Sequence, residues 1–285
     1  MFKLLQKTTG IKQLSTLAKI DLKEINDICY SDKFGFFFIS NQCLGLLNNN
    51  GKLEYPILGR EGVTGSDVGF REYSLLKNPT SIAFRESSEE IFIVEDSGKI
   101  VRSINANDKS NRYISSEIQK SINKILLREY SSGETSICLD NNTIAWTNSL
   151  FNMILVLNIN GLRVIGCEKR GYSISNEDSY CMFNGIRGVT INNNSLYVSD
   201  YNNHCIRSIG LDHSSEKKIV IGHPLSNTLF PKKLLFMKDS LLFVDNNSIK
   251  SYINNKYNTI YESDNIITIT NGPQKKIIIL ENENA

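Results

Sequence analysis

The chain has 285 residues, with a hydrophobic share of 40%, a charged share of 22% and a formal net charge of +2. That balance argues against a dedicated nucleic-acid binder, which carries a strong basic excess. A mean hydropathy of -0.23 and the lack of any apolar run of about 18 residues argue against a membrane-spanning helix.

The first twenty residues, MFKLLQKTTGIKQLSTLAKI, have no apolar core and no small-residue cleavage site, so they do not read as a secretory signal. A cytoplasmic protein, or a component of a particle assembled inside the cell, is expected. Within this segment FKLLQK (2–7) and KQLSTLA (12–18) read as two short strands joined by Thr-Thr-Gly. Six scattered cysteines, Cys29, Cys43, Cys138, Cys167, Cys181 and Cys205, include no C-x-x-C pair. They are expected to be reduced thiols buried in core strands rather than a zinc ribbon or a redox site. The 33 asparagines cluster in short runs such as Asn48-Asn49-Asn50 and Asn192-Asn193-Asn194. Between apolar stretches such runs read as turns, because Asn tolerates left-handed backbone.

Beyond residue 20 one unit recurs: an apolar strand, a short polar turn, and a very apolar strand ending in a polar residue. The copies are INDICYSDKFGFFFIS (25–40), TSIAFRESSEEIFIVED (80–96), TSICLDNNTIAWTNS (135–149), RGVTINNNSLYVSDY (187–201), KKLLFMKDSLLFVDN (232–246) and NIITITNGPQKKIIILEN (265–282). Their aromatic and β-branched content is that of strands. The anchors Ile28, Ile82, Ile137, Val189, Leu234 and Ile267 are 33 to 55 residues apart. That spacing brackets the roughly 40 to 50 residues of a four-stranded propeller blade. Two further, more alternating strands follow most copies. The one helical candidate is SEIQKSINKILLREY (116–130), with Ile118, Ile122, Ile125 and Leu126 at helical spacing.

Six copies and about 47 residues per blade predict an all-β, six-bladed β-propeller. The sixth copy has room for only two strands, so the N-terminal pair is expected to complete it and remove an open edge. The expected layout is one propeller domain over 1–285. Residues 1–20 close the last blade, 21–62 form blade one, 76–115 blade two, and 116–130 a helical insertion. Residues 131–171 form blade three, 183–222 blade four, 229–263 blade five, and 264–285 the inner strands of blade six.

Copy four carries a more specific pattern. In FNGIRGVTINNNSLYVSDYNNHCIRSI (183–209), Asn184, Gly188, Val189, Tyr197, Val198, Asp200, Asn203, His204 and Ile206 fall where an NHL repeat places its consensus residues, and Ile186 stands in place of the usual Pro. Copy two matches the opening through Asn78, Pro79, Ile82 and Ala83. The chain thus resembles the NHL-repeat β-propeller family, closely in one blade and loosely elsewhere. The stretches GREGVTGSDVGF (59–70) and GCEKRGYS (166–173) resemble the Gly-rich linkers that precede such blades. At Asp200, Asn203 and His204 the resemblance implies structural roles: Asp200 caps backbone N–H groups at the strand end, and His204 holds a turn between blades. Gly185 and Gly188 allow close backbone approach.

Related propellers include zinc-dependent lyases and calcium-dependent lactonases, so a metal-dependent enzyme is one reading. With three histidines, His204, His213 and His223, the chain is short of zinc ligands. Its acids and asparagines fall mostly at turns, and no G-x-S-x-G, Walker or H-E-x-x-H motif occurs. No catalytic, metal or cofactor residue is therefore assigned. The first expectation is a non-enzymatic scaffold binding one or more proteins within a larger assembly, including a structural role in a virion. Its candidate binding rim is Arg60, Glu61, Arg71, Glu72, Lys169, Arg170, Arg187 and Tyr201. RNA binding through the cations of that rim is the second reading.

Overall fold

A computed structural model describes residues 1–7, 14–69, 73–114, 116–125, 134–140, 142–175, 177–212, 217–223, 225, 229–237 and 239–283. The strands in chain order begin with β1 (Phe2–Lys7) and β2 (Leu14–Ile20). Blade one follows as β3 (Asp27–Ser31), β4 (Gly35–Ser40), β5 (Cys43–Asn48) and β6 (Leu53–Gly59). Blade two holds β7 (Pro79–Arg85), β8 (Glu90–Glu95), β9 (Ile100–Asn105) and β10 (Asn111–Tyr113), and helix α1 (Ser116–Ile125) follows it. Blade three holds β11 (Ile137–Leu139), β12 (Ile144–Asn148), β13 (Met153–Asn158) and β14 (Gly161–Gly166). Blade four holds β15 (Ile186–Asn192), β16 (Ser195–Asp200), β17 (Cys205–Gly210) and β18 (Lys217–Gly222). Blade five holds β19 (Pro231–Met237), β20 (Ser240–Asp245), β21 (Ser248–Ile253) and β22 (Lys256–Glu262), and the chain ends in β23 (Ile266–Gly272) and β24 (Lys276–Asn282).

These strands form six four-stranded antiparallel sheets, the blades of a six-bladed β-propeller. The last has the order β2-β1-β24-β23, so the N-terminal strands complete the C-terminal blade. Phe2 lies opposite Asn282 and Lys7 opposite Ile277 along an unbroken register. The chain divides into two compact units, residues 1–128 with 265–285, and residues 129–264.

In every copy the apolar pair is the first two strands of a blade. The second strand is apolar throughout because both its faces are covered: β4, β8, β12 and β20 are buried almost end to end. The fourth strand is the most exposed, as in β22. In copy six a bulge between Ile266 and Thr268 leaves Ile267 half-buried and puts Thr268 opposite Leu280. The anchor of that copy is therefore not Ile267 but the buried Ile269, opposite Ile279 as Ile82 is opposite Ile93; the residue before it is Thr268. Its hydroxyl donates to Asp27 Oδ1 at 3.0 Å, while Asp27 Oδ2 accepts from the Ser81 hydroxyl at 2.9 Å and the Ile82 amide at 3.2 Å. One buried carboxylate thus ties β3, β7 and β23 in the first unit.

Outer edges are blunted in several ways, as expected of strands that must not pair with other chains. Strand β10 has three residues. The pairings of β2, β18 and β22 each contain a bulge, and β6 has a register break and Pro56. Strand β14 pairs regularly with β13, and here the 3-10 turn Asp178–Tyr180 packs against it.

Among the described residues asparagine supplies eight left-handed non-glycine positions, including Asn193 and Asn194. In the other run Gly51 takes the left-handed turn, and Asn48 Oδ1 accepts the amides of Asn50 and Lys52. Cys29, Cys43, Cys138 and Cys205 lie in strands as free thiols. Cys167 and Cys181 are also free thiols but lie in the linker between blades three and four, outside the core strands expected for them. Leu126 and the rest of 126–133 lie outside the described residues.

Candidate functional site

In the second unit, the last residue of β16 and the third residue of β17 form the centre of a clamp. Asp200 is fully buried and accepts the Asn184 amide and the Asn203 Nδ2 group, each at 2.8 Å, and an ion-paired hydrogen bond from Arg207. Burial pushes the Asp200 carboxyl upward, against the pull of Arg207 and the amide donors. The Arg207 guanidinium lies 4.6 Å from the ring centroids of both Tyr172 and Phe183. It donates to the carbonyls of Ser173 and Met182 at 2.8 Å each. Asn203 donates to the Gly171 carbonyl at 2.8 Å, and Lys217 to the Ser175 carbonyl at 2.7 Å.

All four carbonyls belong to the linker 167–183, whose turn is fixed further by Asp178. Arg163 of β14 binds this carboxylate through Nε at 2.6 Å and Nη2 at 3.0 Å, and Lys217 of β18 approaches at 2.9 Å. Burial alone would raise the Asp178 carboxyl, but Arg163 and Lys217 hold it below the ordinary carboxylate range. A loop with so many backbone anchors has little conformational freedom left to lose. From it Tyr172, Ile174 and Tyr180 project into solvent, Tyr180 with 64% of its surface exposed.

The same device recurs in the first unit. Glu95, last in β8, accepts the Lys77 amide at 2.7 Å and pairs with Arg102, third in β9, at 2.7 Å. Arg102 donates to the carbonyls of Asp67 and Leu75 in linker 60–78, at 2.8 and 2.9 Å, and that linker exposes Val68 and Tyr73. In blade five Asp245 accepts the Phe230 amide at 2.7 Å and pairs with Lys250. The sequence reading missed Arg102, Arg207 and Lys250. Their signal is an acid ending the second strand of a copy and a cation five or seven residues later.

Arg60 and Glu61 are exposed just after β6, with Glu61 accepting from Asn41 at 3.0 Å. Lys169 and Arg170 are exposed in the linker after β14. Arg71 and Glu72 lie outside the described residues. Arg187 and Tyr201 are brought together: the guanidinium lies 3.8 Å from the centroid of the tyrosine ring, and its Nε pairs with Glu134 at 3.0 Å. Tyr201 packs on Phe230, which meets the His204 ring edge to face, and His204 Nδ1 lies 2.9 Å from the Leu229 carbonyl. His204 thus fastens the β16–β17 turn to the start of blade five. Gly188 is required nearby, because an added Cβ would lie 2.0 Å from the Lys232 carbonyl oxygen.

The NHL repeat family matches residues 183–207. That stretch holds the whole Asp200–Asn203–Arg207 clamp and His204. No curated protein sequence matches the chain. Among solved structures, one described as a nidogen/laminin complex has a TM-score of 0.63 at 14% identity, covering 100% of each chain. A catalytically inactive virginiamycin B lyase from Staphylococcus aureus with quinupristin has a TM-score of 0.59 at 16% identity, covering 99% of this chain and 100% of that one. A streptogramin B lyase has a TM-score of 0.56 at 14% identity, covering 98% and 97%. At these identities the likeness shows the fold and leaves function to the site. Among the described residues, no three of His, Cys, Asp and Glu come together as a metal site, and no helix is long and apolar enough to cross a membrane.

Proposed function

We propose that the chain is a non-enzymatic scaffold that binds a protein partner within a larger intracellular assembly, using its inter-blade linkers. One observation carries this reading. The linker 167–183 is held by buried cations of its own blades while it exposes Tyr172, Ile174 and Tyr180. Aromatic residues presented without ordering cost are the usual anchors of protein interfaces. Support for a non-catalytic role comes from how the buried carboxylates are used. Asp27, Glu95, Asp200 and Asp245 each accept backbone amides, and three of them pair with a strand cation.

The test is affinity capture from the native source with wild-type chain and an Ile174→Ser/Tyr180→Ala variant of unchanged melting temperature. A stoichiometric protein partner lost with the variant supports the reading. Co-purified RNA released by salt, with no such protein, counts against it.

A further inference from the structure

Arg187 is a guanidinium held in place with most of its donors unused. Its planar group stacks on Tyr201, which is braced by Phe230 and, through Phe230, by His204. Only Nε meets an acceptor, the Glu134 carboxylate. Among the described residues Nη1 and Nη2 donate no hydrogen bond, and the side chain is 30% exposed. Glu134 itself is 60% exposed and has no second tie to the fold among the described residues. A stacked arginine has lost most of its rotamer freedom before any ligand arrives, and its forked edge matches a carboxylate bidentately.

We propose that Arg187 is a recognition point for a carboxylate of the protein partner, and that Glu134 occupies it as an internal stand-in. The inference rests on the protein-binding reading, whose partner it describes chemically. On binding, the partner's Asp, Glu or C-terminal carboxylate takes the Nη1/Nη2 edge and displaces Glu134 into water. No proton or bond changes hands; one exposed ion pair is exchanged for a better-aligned one. The apolar shelf of Tyr201 and Phe230 beside the guanidinium suits an acidic residue flanked by an apolar one. The exchange is favourable because a single-point pair between exposed side chains is weak, whereas a bidentate pair on an aromatic shelf is sheltered from water.

The test follows the Arg187 Nε–Hε resonance by NMR while the full chain is titrated with N-acetyl-Gly-Glu-Glu-Gly-amide, and with its Gln-Gln analogue. The Glu peptide is expected to shift this resonance at roughly millimolar concentration and the Gln peptide to leave it unmoved. Glu134→Gln is expected to tighten the Glu peptide about fivefold, because the competitor is neutralised. Arg187→Lys, which keeps the charge but not the fork, is expected to abolish saturable peptide binding measured by calorimetry. No shift with the Glu peptide in either wild type or Glu134→Gln overturns the proposal. So does an oligoadenylate that moves the resonance at lower concentration than the peptide, which would assign the arginine to phosphate. The readout is local and needs no native partner, so failure of carboxylate recognition at Arg187 and failure of the capture experiment are told apart.

Discussion

At the scale of single residues, one unit recurs in blades two, four and five: an acid ending a second strand and a cation reaching it from the third. Arg207 shows what this does. It neutralises Asp200, which water does not reach, and fixes the linker through two carbonyls. Removing one partner of a buried pair leaves the other charge without compensation, which costs about 3–5 kcal/mol. Arg207→Met is therefore expected to destabilise the chain by about that amount in denaturant unfolding. Asp200→Asn combined with Arg207→Met should recover part of the loss, because no buried charge then remains. A double variant no better than the single one would show that the linker carbonyls, not the ion pair, carry the energy. Cys205 packs beside this pair, and burial foremost pushes its thiol up to about 11, so it behaves as an inert filler.

At the scale of elements, the turn Asp178–Tyr180 covers β14, a six-residue outer strand that pairs regularly over its whole length. Because the folded Asp178 carboxyl is held below its ordinary range, the unfolded chain binds the extra proton in the acid window. The stabilisation is complete above pH about 4 and is lost as pH falls through the folded value. Asp178→Asn is expected to cost about 1–3 kcal/mol at pH 7. The gap to wild type should narrow as pH drops below about 4 in urea titrations. A gap independent of pH would mean that the ion pair contributes nothing. The N-terminal strands give a second test. Deleting residues 1–20 uncovers the whole edge of β24, whose apolar residues Ile277, Ile278, Ile279 and Leu280 are buried. Light scattering should then show aggregation, as expected of an exposed flat edge. A monomeric deletion variant with unchanged melting would contradict the closure seen here.

The blade count and the origin of the missing outer strands were legible because strand pairs buried on both faces leave runs such as GFFFIS and LLFVD that nothing polar interrupts. Ile267 stands in the anchor's place in the sequence reading because Ile267 and Ile269 are chemically alike and two positions apart, and only the pairing with β24 shows that Ile269, opposite Ile279, is the buried one. The clamp cations were invisible for a similar reason. In a strand of alternating character, Arg102 and Arg207 look like solvent-facing positions, and only the fold brings a linker over them. Of the rim residues, Arg187 and Tyr201 form one cluster, a pairing across 14 positions that no local pattern announces.

At the scale of the whole molecule, a chain of net charge +2 presents apolar and aromatic groups on anchored linkers, and its candidate rim mixes both signs. RNA binding by exposed cations would fall steeply with salt, whereas an interface centred on aromatic anchors would not. The chain is therefore expected to show no appreciable affinity for single-stranded RNA near 150 mM salt, roughly physiological ionic strength. The most direct test titrates the captured partner against wild type and the Ile174→Ser/Tyr180→Ala variant by calorimetry. The account predicts tight binding at that salt concentration by the wild type and a loss of about a hundredfold or more in the variant, as for interface anchors. Equal affinity of the two chains for the partner would contradict it.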